Sequence, residues 1–146
     1  MGPTILFTIL AGLLAWTGAR WSQTLPYYEE QRRAIPYRTL FTVALAMLSA
    51  GIAAWQGESM ISKGFMALWS VVFTLIAVID IETHFIPNVL SLPATGLALL
   101  ASLVDPRLNW RSSLLGALLG LIIFYVIYRV ARGGFGMGDV TLSAFM

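Results

Sequence analysis

Long apolar blocks separated by short polar segments recur along this chain, and they constrain its fold more than any other feature. Each block has roughly 17 to 20 residues, which is enough to cross about 30 Å of hydrocarbon as a helix. Because backbone groups in lipid must be hydrogen-bonded within the protein, such blocks favour helices. Only 11% of the 146 residues are charged, against roughly 25% in soluble chains. The sequence therefore predicts an all-α, polytopic transmembrane helix bundle.

We predict five full spans and the start of a sixth, all within one integral membrane domain of residues 1–146. The spans are predicted at residues 3–19, 39–55, 64–80, 89–104 and 112–130, with polar loop residues at 20–38. Pro87 separates the third span from the fourth, because proline disfavours helix at the preceding residue. A last apolar segment begins at Asp139 and has eight residues, too few to cross a bilayer. We expect either a fragment or a last helix that stops short.

The composition excludes several chemistries. The absence of cysteine excludes disulfides, a thiol nucleophile and a cysteine zinc cluster, and the single histidine, His84, excludes a multi-histidine metal site within the chain. A formal net charge of +2 is too small to indicate nucleic-acid binding. We therefore expect no metal and no cofactor, with the lipid bilayer as a partner. The oligomeric state stays open.

The loop charges predict the orientation, because cytoplasmic loops carry an excess of Lys and Arg. The odd-numbered loops carry Arg20, Arg32, Arg33, Arg38, Arg129 and Arg132, whereas the even-numbered loops carry Lys63, Arg107 and Arg111. This difference predicts a multi-pass protein of the inner (cytoplasmic) membrane with its N-terminus outside and the odd loops in the cytoplasm.

Two carboxylates stand at span ends on the predicted cytoplasmic side. Asp80 ends the third span, and Asp139 begins the sixth segment after a glycine-rich stretch. An ionisable residue is costly near hydrocarbon, so it indicates a functional site. Two carboxylates held close cannot both ionise readily and can share one proton, as in aspartic proteases. There the ionised acid activates water while the protonated acid polarises the scissile carbonyl.

Structural interpretations of these residues stay open beside the catalytic one. Asp139 could be a helix N-cap, since Asp after glycine caps well. Asp80 could be an ordinary interfacial charge, and we expect Glu82 and His84 to be solvated loop residues. The glycine-rich stretch lacks the Gly-Lys-Ser/Thr ending of a phosphate-binding loop.

Two segments resemble motifs of one protein family. Residues 136–139, Gly-Met-Gly-Asp, resemble the glycine-any-glycine-aspartate signature of intramembrane aspartyl proteases. Residues 80–93, DIETHFIPNVLSLP, resemble the first-aspartate region of type IV prepilin peptidases, with its Ile-Pro-Asn or Ile-Pro-Asp and a following Leu-Thr-Leu-Pro-like run. The resemblance is specific over about residues 64–146, the predicted peptidase region.

This resemblance implies an aspartic-type endopeptidase that serves type IV pilus assembly or protein secretion. It would cut the leader peptide from type IV prepilins or pseudopilins, its protein partners, at the cytoplasmic face. The site residues implied by the resemblance are the catalytic pair Asp80 and Asp139, the substrate-binding motif residues Gly136, Met137 and Gly138, and the structural motif residues Ile86, Pro87 and Asn88.

The chain departs from the family pattern at three places. Residues 20–38 lack the two Cys-x-x-Cys pairs of many bacterial members, which also methylate the new N-terminus, so methylation stays open. Thr141 stands where the family often has Lys, and the chain ends before the family's further membrane segments. The alternatives are a preflagellin-type or other leader peptidase, a small transporter whose acids relay protons, or an inactive fragment.

Overall fold

The computed structural model describes residues 2–25, 35–105, 108–131 and 136–145. These residues form six helices and no strand, which confirms the all-α prediction: α1 Gly2–Ser22, α2 Arg38–Gln56, α3 Met60–Thr83, α4 Asn88–Val104, α5 Trp110–Val130 and α6 Met137–Phe145. Each predicted span lies within one helix. Residues outside the described ranges include the loop charges Glu29, Glu30, Arg32 and Arg33, the loop residue Arg107, and Arg132, Gly133, Gly134 and Phe135 of the glycine-rich stretch.

Four of these helices, α1, α2, α3 and α5, are long and apolar enough to cross a membrane. The apolar helix α4 is shorter, with 17 residues, which is at the lower end of the range for a span. The last helix, α6, has nine residues. The prediction of five spans and the start of a sixth is thus confirmed, with the fourth span the shortest.

The helices divide into two compact units, and the first contains residues 1–84 with α1, α2 and α3. Its three helices pack against one another through small residues at every fourth position, such as Ala11, Ala15 and Ala19 of α1, all at most 2% exposed. Small side chains allow helix backbones to come close. Membrane helices pack in this way because lipid is as apolar as their side chains, so that the hydrophobic effect does not favour association. The large side chains face outward instead, with Leu13 58% and Leu48 63% exposed.

The second unit contains residues 85–146, in which α6 packs against α4 and α5. A Cβ added at Gly120 of α5 would lie 2.5 Å from the carbonyl oxygen of Ser143 on α6. The two backbones therefore touch at a position that only glycine allows. None of the side chains described for α5 is buried, as expected for a helix that faces lipid. The organisation of the chain as a single domain stays a prediction.

Candidate active site

Asp80 lies in the last turn of α3. The helix continues three residues beyond the predicted span end and stops at Thr83. His84 ends it by adopting a left-handed conformation with φ 52°, and its backbone N–H donates to the Asp80 carbonyl oxygen at 2.7 Å. The Asp80 side chain is exposed, and so is that of His84, as the sequence predicted. The described residues of the chain therefore do not enclose the Asp80 side chain.

Glu82, two residues further on, has a different environment, and the prediction that it is a solvated loop residue is wrong. Its side chain is 0% exposed, and its Oε2 accepts a hydrogen bond from Arg38 Nε at 2.6 Å in a buried ion pair. Arg38 also donates from Nη1 to the Ala19 carbonyl oxygen at 2.5 Å and from Nη2 to Ser22 Oγ at 2.9 Å. Successive helical residues are about 100° apart, so the buried Glu82 and the exposed Asp80 lie on opposite faces of α3.

Sequence reasoning missed this ion pair for two reasons. It assigned Arg38 to the polar loop, whereas Arg38 is the first residue of α2. It also had no way to find a partner for Glu82, because the two residues are 44 positions apart. The one signal in the sequence was an acid that follows a long apolar run, where a charge needs a partner if it is to be buried.

Asp139 is the third residue of α6, and its carboxylate closes the first turn of this helix. Oδ2 accepts from the backbone N–H of Gly136 at 2.9 Å, while the Asp139 N–H donates to the Gly136 carbonyl oxygen at 3.1 Å. The bond from the cap N–H to the Asp139 carboxylate is the half of a capping box that the third helical residue supplies. The N-cap interpretation of Asp139 is thus corrected: Gly136 stands at the cap, and Asp139 bonds to it from within the helix.

The glycine of the motif at position 138 packs directly on the Ile-Pro-Asn segment. A Cβ added at Gly138 would lie 2.6 Å from the carbonyl oxygen of Ile86 and 2.8 Å from its Cβ. Such a contact excludes every residue except glycine. At Gly136, by comparison, an added Cβ would lie 3.2 Å from Asp139 Oδ2, the end of a side chain. The structure therefore brings the two motif segments together and makes Gly138 the point of contact.

Thr141 links the first turns of α4 and α6. Its Oγ1 lies 2.7 Å from Oδ1 of Asn88, 2.9 Å from the carbonyl oxygen of Gly138 and 3.0 Å from Oγ of Ser91. A threonine hydroxyl has one proton and two lone pairs, so Thr141 donates to Asn88 or Gly138 and can accept from Ser91. The sequence identified Thr141 only as a departure from the family pattern. In the structure its hydroxyl is a neutral hydrogen-bonding group between α4 and α6.

The predicted site residues are therefore distributed over both units. Gly136, Met137, Gly138 and Asp139 lie in the second unit, as do Ile86, Pro87 and Asn88. Of these residues, Gly138 contacts Ile86, Pro87 is buried and Met137 is 49% exposed. Asp80 belongs to the first unit. Among the described residues, no three His, Asp or Glu side chains come together in a way that could hold a metal ion.

The helices and their apolar exteriors define a multi-pass helical membrane protein. The model of the type IV leader peptidase family matches residues 65–146, and the chain belongs to this family. This finding confirms the resemblance that the two motifs indicated.

Several curated relatives are named prepilin leader peptidase/N-methyltransferase. The one from Dichelobacter nodosus is 30% identical over 116 residues, which cover 76% of this chain and 41% of the relative. The one from Bacillus subtilis (strain 168) is 36% identical over 70 residues, 48% of this chain and 28% of the relative. The one from Neisseria gonorrhoeae is 32% identical over 93 residues, 61% of this chain and 32% of the relative. The chain thus spans less than half the length of these relatives. No solved structure matches it significantly.

Proposed function

We propose that this chain is a membrane aspartic endopeptidase that cleaves the leader peptide of type IV prepilins or pseudopilins at the cytoplasmic face. Asp80 and Asp139 are its catalytic pair. The observation that supports this function best is the contact of Gly138 with Ile86, because it joins the segment that contains Asp139 to the segment that follows Asp80. Membership of the type IV leader peptidase family supports the same substrate class.

The order of the helices supports pairing of the two acids. α3 ends three residues after Asp80, and residues 84–87 lead directly into α4. The far end of this short segment and the first turn of α4 contact the first turn of α6, which contains Asp139. The segment that follows Asp80 along the chain therefore contacts the helix that contains Asp139, 59 residues further on.

In the proposed reaction the two carboxylates share one proton. The ionised acid takes a proton from the attacking water, and the protonated acid donates a hydrogen bond to the scissile carbonyl oxygen. The Gly136 N–H holds Oδ2 of Asp139 and so orients that carboxylate. Exposed backbone near Gly136 would allow an extended substrate strand to satisfy its own backbone groups, which cannot remain unpaired in lipid.

The test is leader cleavage of a co-expressed prepilin by Asp80→Asn and Asp139→Asn variants. Both are expected to accumulate in the membrane at the level of the unchanged protein and to leave the prepilin uncut. Glu58→Gln, which neutralises an exposed carboxylate in the loop between α2 and α3, is the matched control and is expected to cleave normally. Cleavage at the normal rate by either aspartate variant would contradict the proposal.

The orientation is also a proposal, with the N-terminus outside and the catalytic aspartates at the cytoplasmic face. The chain contains no cysteine, so a single introduced cysteine can be labelled without background. In intact cells a membrane-impermeant maleimide is expected to label Glu58→Cys and to label Thr24→Cys only after lysis, since both positions are exposed. The reverse pattern would invert the topology.

A panel of leader peptides separates the proposed substrates from those of the alternative peptidases. We expect prepilin and pseudopilin leaders to be cut faster than preflagellin leaders. If the chain were instead a proton-relaying transporter, liposomes that contain it would show proton flux that is lost with Asp80→Asn, and no leader would be cut.

A further inference from the structure

We propose that Arg38 is a positioning residue for Asp80 and that it acts through Glu82. This inference rests on the proposed function, because it assigns the buried ion pair a part in the same reaction. Arg38 and Glu82 would not touch the substrate; they would hold the helix turn that carries the catalytic carboxylate.

The contacts of Arg38 join the ends of three helices. The guanidinium uses a different nitrogen for each of three partners: the Glu82 carboxylate on α3, the Ala19 carbonyl oxygen on α1 and Ser22 Oγ on α1. Carbonyl groups in the last turn of a helix lack backbone partners within that helix, and the Ala19 carbonyl oxygen accepts from Arg38 Nη1 as well as from Ser22 Oγ at 3.1 Å. Both ionic side chains are almost completely buried, at 3% and 0% exposure. This is a formed polar cluster and not a surface ion pair.

The cluster acts on the turn that contains Asp80. Helix ends fray, and the last turn of α3 is closed by a single residue in the left-handed conformation, His84. Glu82 can reach Arg38 only if this turn stays helical and keeps its rotation. Asp80, on the opposite face of the same turn, is then held at one orientation. Displacement of a catalytic group by about 1 Å can lower a rate by roughly 10²-fold, so the rotation of this turn matters for the proposed reaction.

The planar fork of arginine is required for this arrangement. Lysine has its three donors on one nitrogen, whereas Arg38 reaches its three partners from three separate nitrogens of a planar group. Arg38→Lys keeps the charge and so separates positioning from neutralisation. Glu82→Gln keeps the shape of the partner and removes its charge.

The experiment measures kcat and KM for leader cleavage by purified Glu82→Gln and Arg38→Lys variants of the full chain. The matched controls are Glu58→Gln and Arg20→Lys, which change exposed residues of the same types. We expect kcat to fall by about tenfold or more in both variants, with KM changed less than about twofold because neither residue touches the substrate. The controls are expected to keep both constants.

A second readout is independent of catalysis. A spin label at Ile81→Cys, a position 56% exposed in the last turn of α3, reports the mobility of that turn. We expect the label to become more mobile when Glu82→Gln or Arg38→Lys is added, and a label at Phe73→Cys in the middle of α3 to keep its mobility. A purely structural ion pair would lower the unfolding temperature and leave kcat and the Ile81 label unchanged in the folded protein.

The two proposals fail in different ways. Unchanged kcat together with unchanged label mobility in the folded variants would overturn the positioning role of Arg38, whatever the fate of the proposed function. Cleavage by Asp80→Asn would overturn the proposed function, while the Ile81 label would still show whether Arg38 holds the turn. If Glu82→Gln does not fold, Arg38→Lys and Ser22→Ala, which keeps the ion pair and removes one partner, provide the same comparison.

Discussion

The end of α3 and the start of α6 each carry one of the two aspartates, but different interactions hold them. The turn that contains Asp80 is held by a buried ion pair between Glu82 and Arg38, on the face of α3 opposite to Asp80. The turn that contains Asp139 has no ion pair among the described residues. It is held by the contact of Gly138 with the Ile86 backbone and by the hydroxyl of Thr141.

This contrast predicts how the two turns respond to substitution. An ion pair has two members, so the loss of one can be compensated by the replacement of the other. A backbone contact through glycine has no such partner, because any side chain is too large for the space. We therefore expect that a second substitution can restore the stability lost by a substitution at the end of α3. We expect no such rescue for a substitution of Gly138 at the start of α6.

Arg38→Met is expected to have the largest effect on stability. It leaves Glu82 buried without its cation, which costs about 3–5 kcal/mol of unfolding free energy, whereas replacement of both members by apolar residues is often close to neutral. We expect Arg38→Met/Glu82→Leu to recover most of the loss. Unfolding in mixed micelles of increasing SDS content measures both values, with Arg20→Met as the exposed control. A single variant no less stable than this control would show that the ion pair contributes little.

Gly138→Ala is expected to come next and to resist rescue. The added methyl group would meet a backbone oxygen at 2.6 Å, and overpacking of this kind costs about 1–3 kcal/mol. Gly136→Ala meets only the Asp139 carboxylate at 3.2 Å, and this side chain can move. We expect Gly138→Ala to abolish leader cleavage and Gly136→Ala to retain part of it, as measured in the prepilin assay. Equal losses of cleavage in the two variants would show that the contact of Gly138 with Ile86 does not explain why glycine is needed at position 138.

Thr141→Val is expected to have a smaller effect. It keeps the shape and removes the hydroxyl that bonds to Asn88 and Ser91, so the expected loss is about 1 kcal/mol of unfolding free energy. Thr141→Ser keeps the hydroxyl and is expected to stay within about 0.5 kcal/mol of the unchanged chain. The SDS titration distinguishes the two. Should Thr141→Ser lose as much as Thr141→Val, the methyl group and not the hydroxyl would be what holds the two turns together.

His84→Gly is expected to have the smallest effect and the opposite sign. The left-handed conformation at φ 52° costs a residue with a Cβ about 1–2 kcal/mol, and glycine recovers part of that cost despite its larger unfolded-state entropy. We expect a gain of about 0.5–1 kcal/mol and unchanged cleavage, since His84 is exposed and has no part in the proposed mechanism. A loss of cleavage in the stable variant would instead give the imidazole a role in the reaction.

The sequence predicted the helices well because lipid leaves few alternatives. An apolar block must form all its backbone hydrogen bonds internally, so block length and Pro87 were enough to set the spans to within a few residues. The errors were at polar ends. α3 continues to Thr83 because the burial of Glu82 against Arg38 keeps its last turn helical, which no local pattern shows.

Hydropathy and residue type were enough to predict the class of protein, the spans, and two motif segments that resemble those of one peptidase family. Contacts between distant residues are visible only in the folded chain. Arg38 meets Glu82 across 44 positions and Thr141 meets Asn88 across 53, and Gly138 meets Ile86 only once α6 has packed on α4. Hydropathy and local propensity act over a few helical turns, whereas these contacts depend on the packing of whole helices. Small residues along a helix allow another helix to pack closely against it. Their spacing in the sequence does not specify which helix that is.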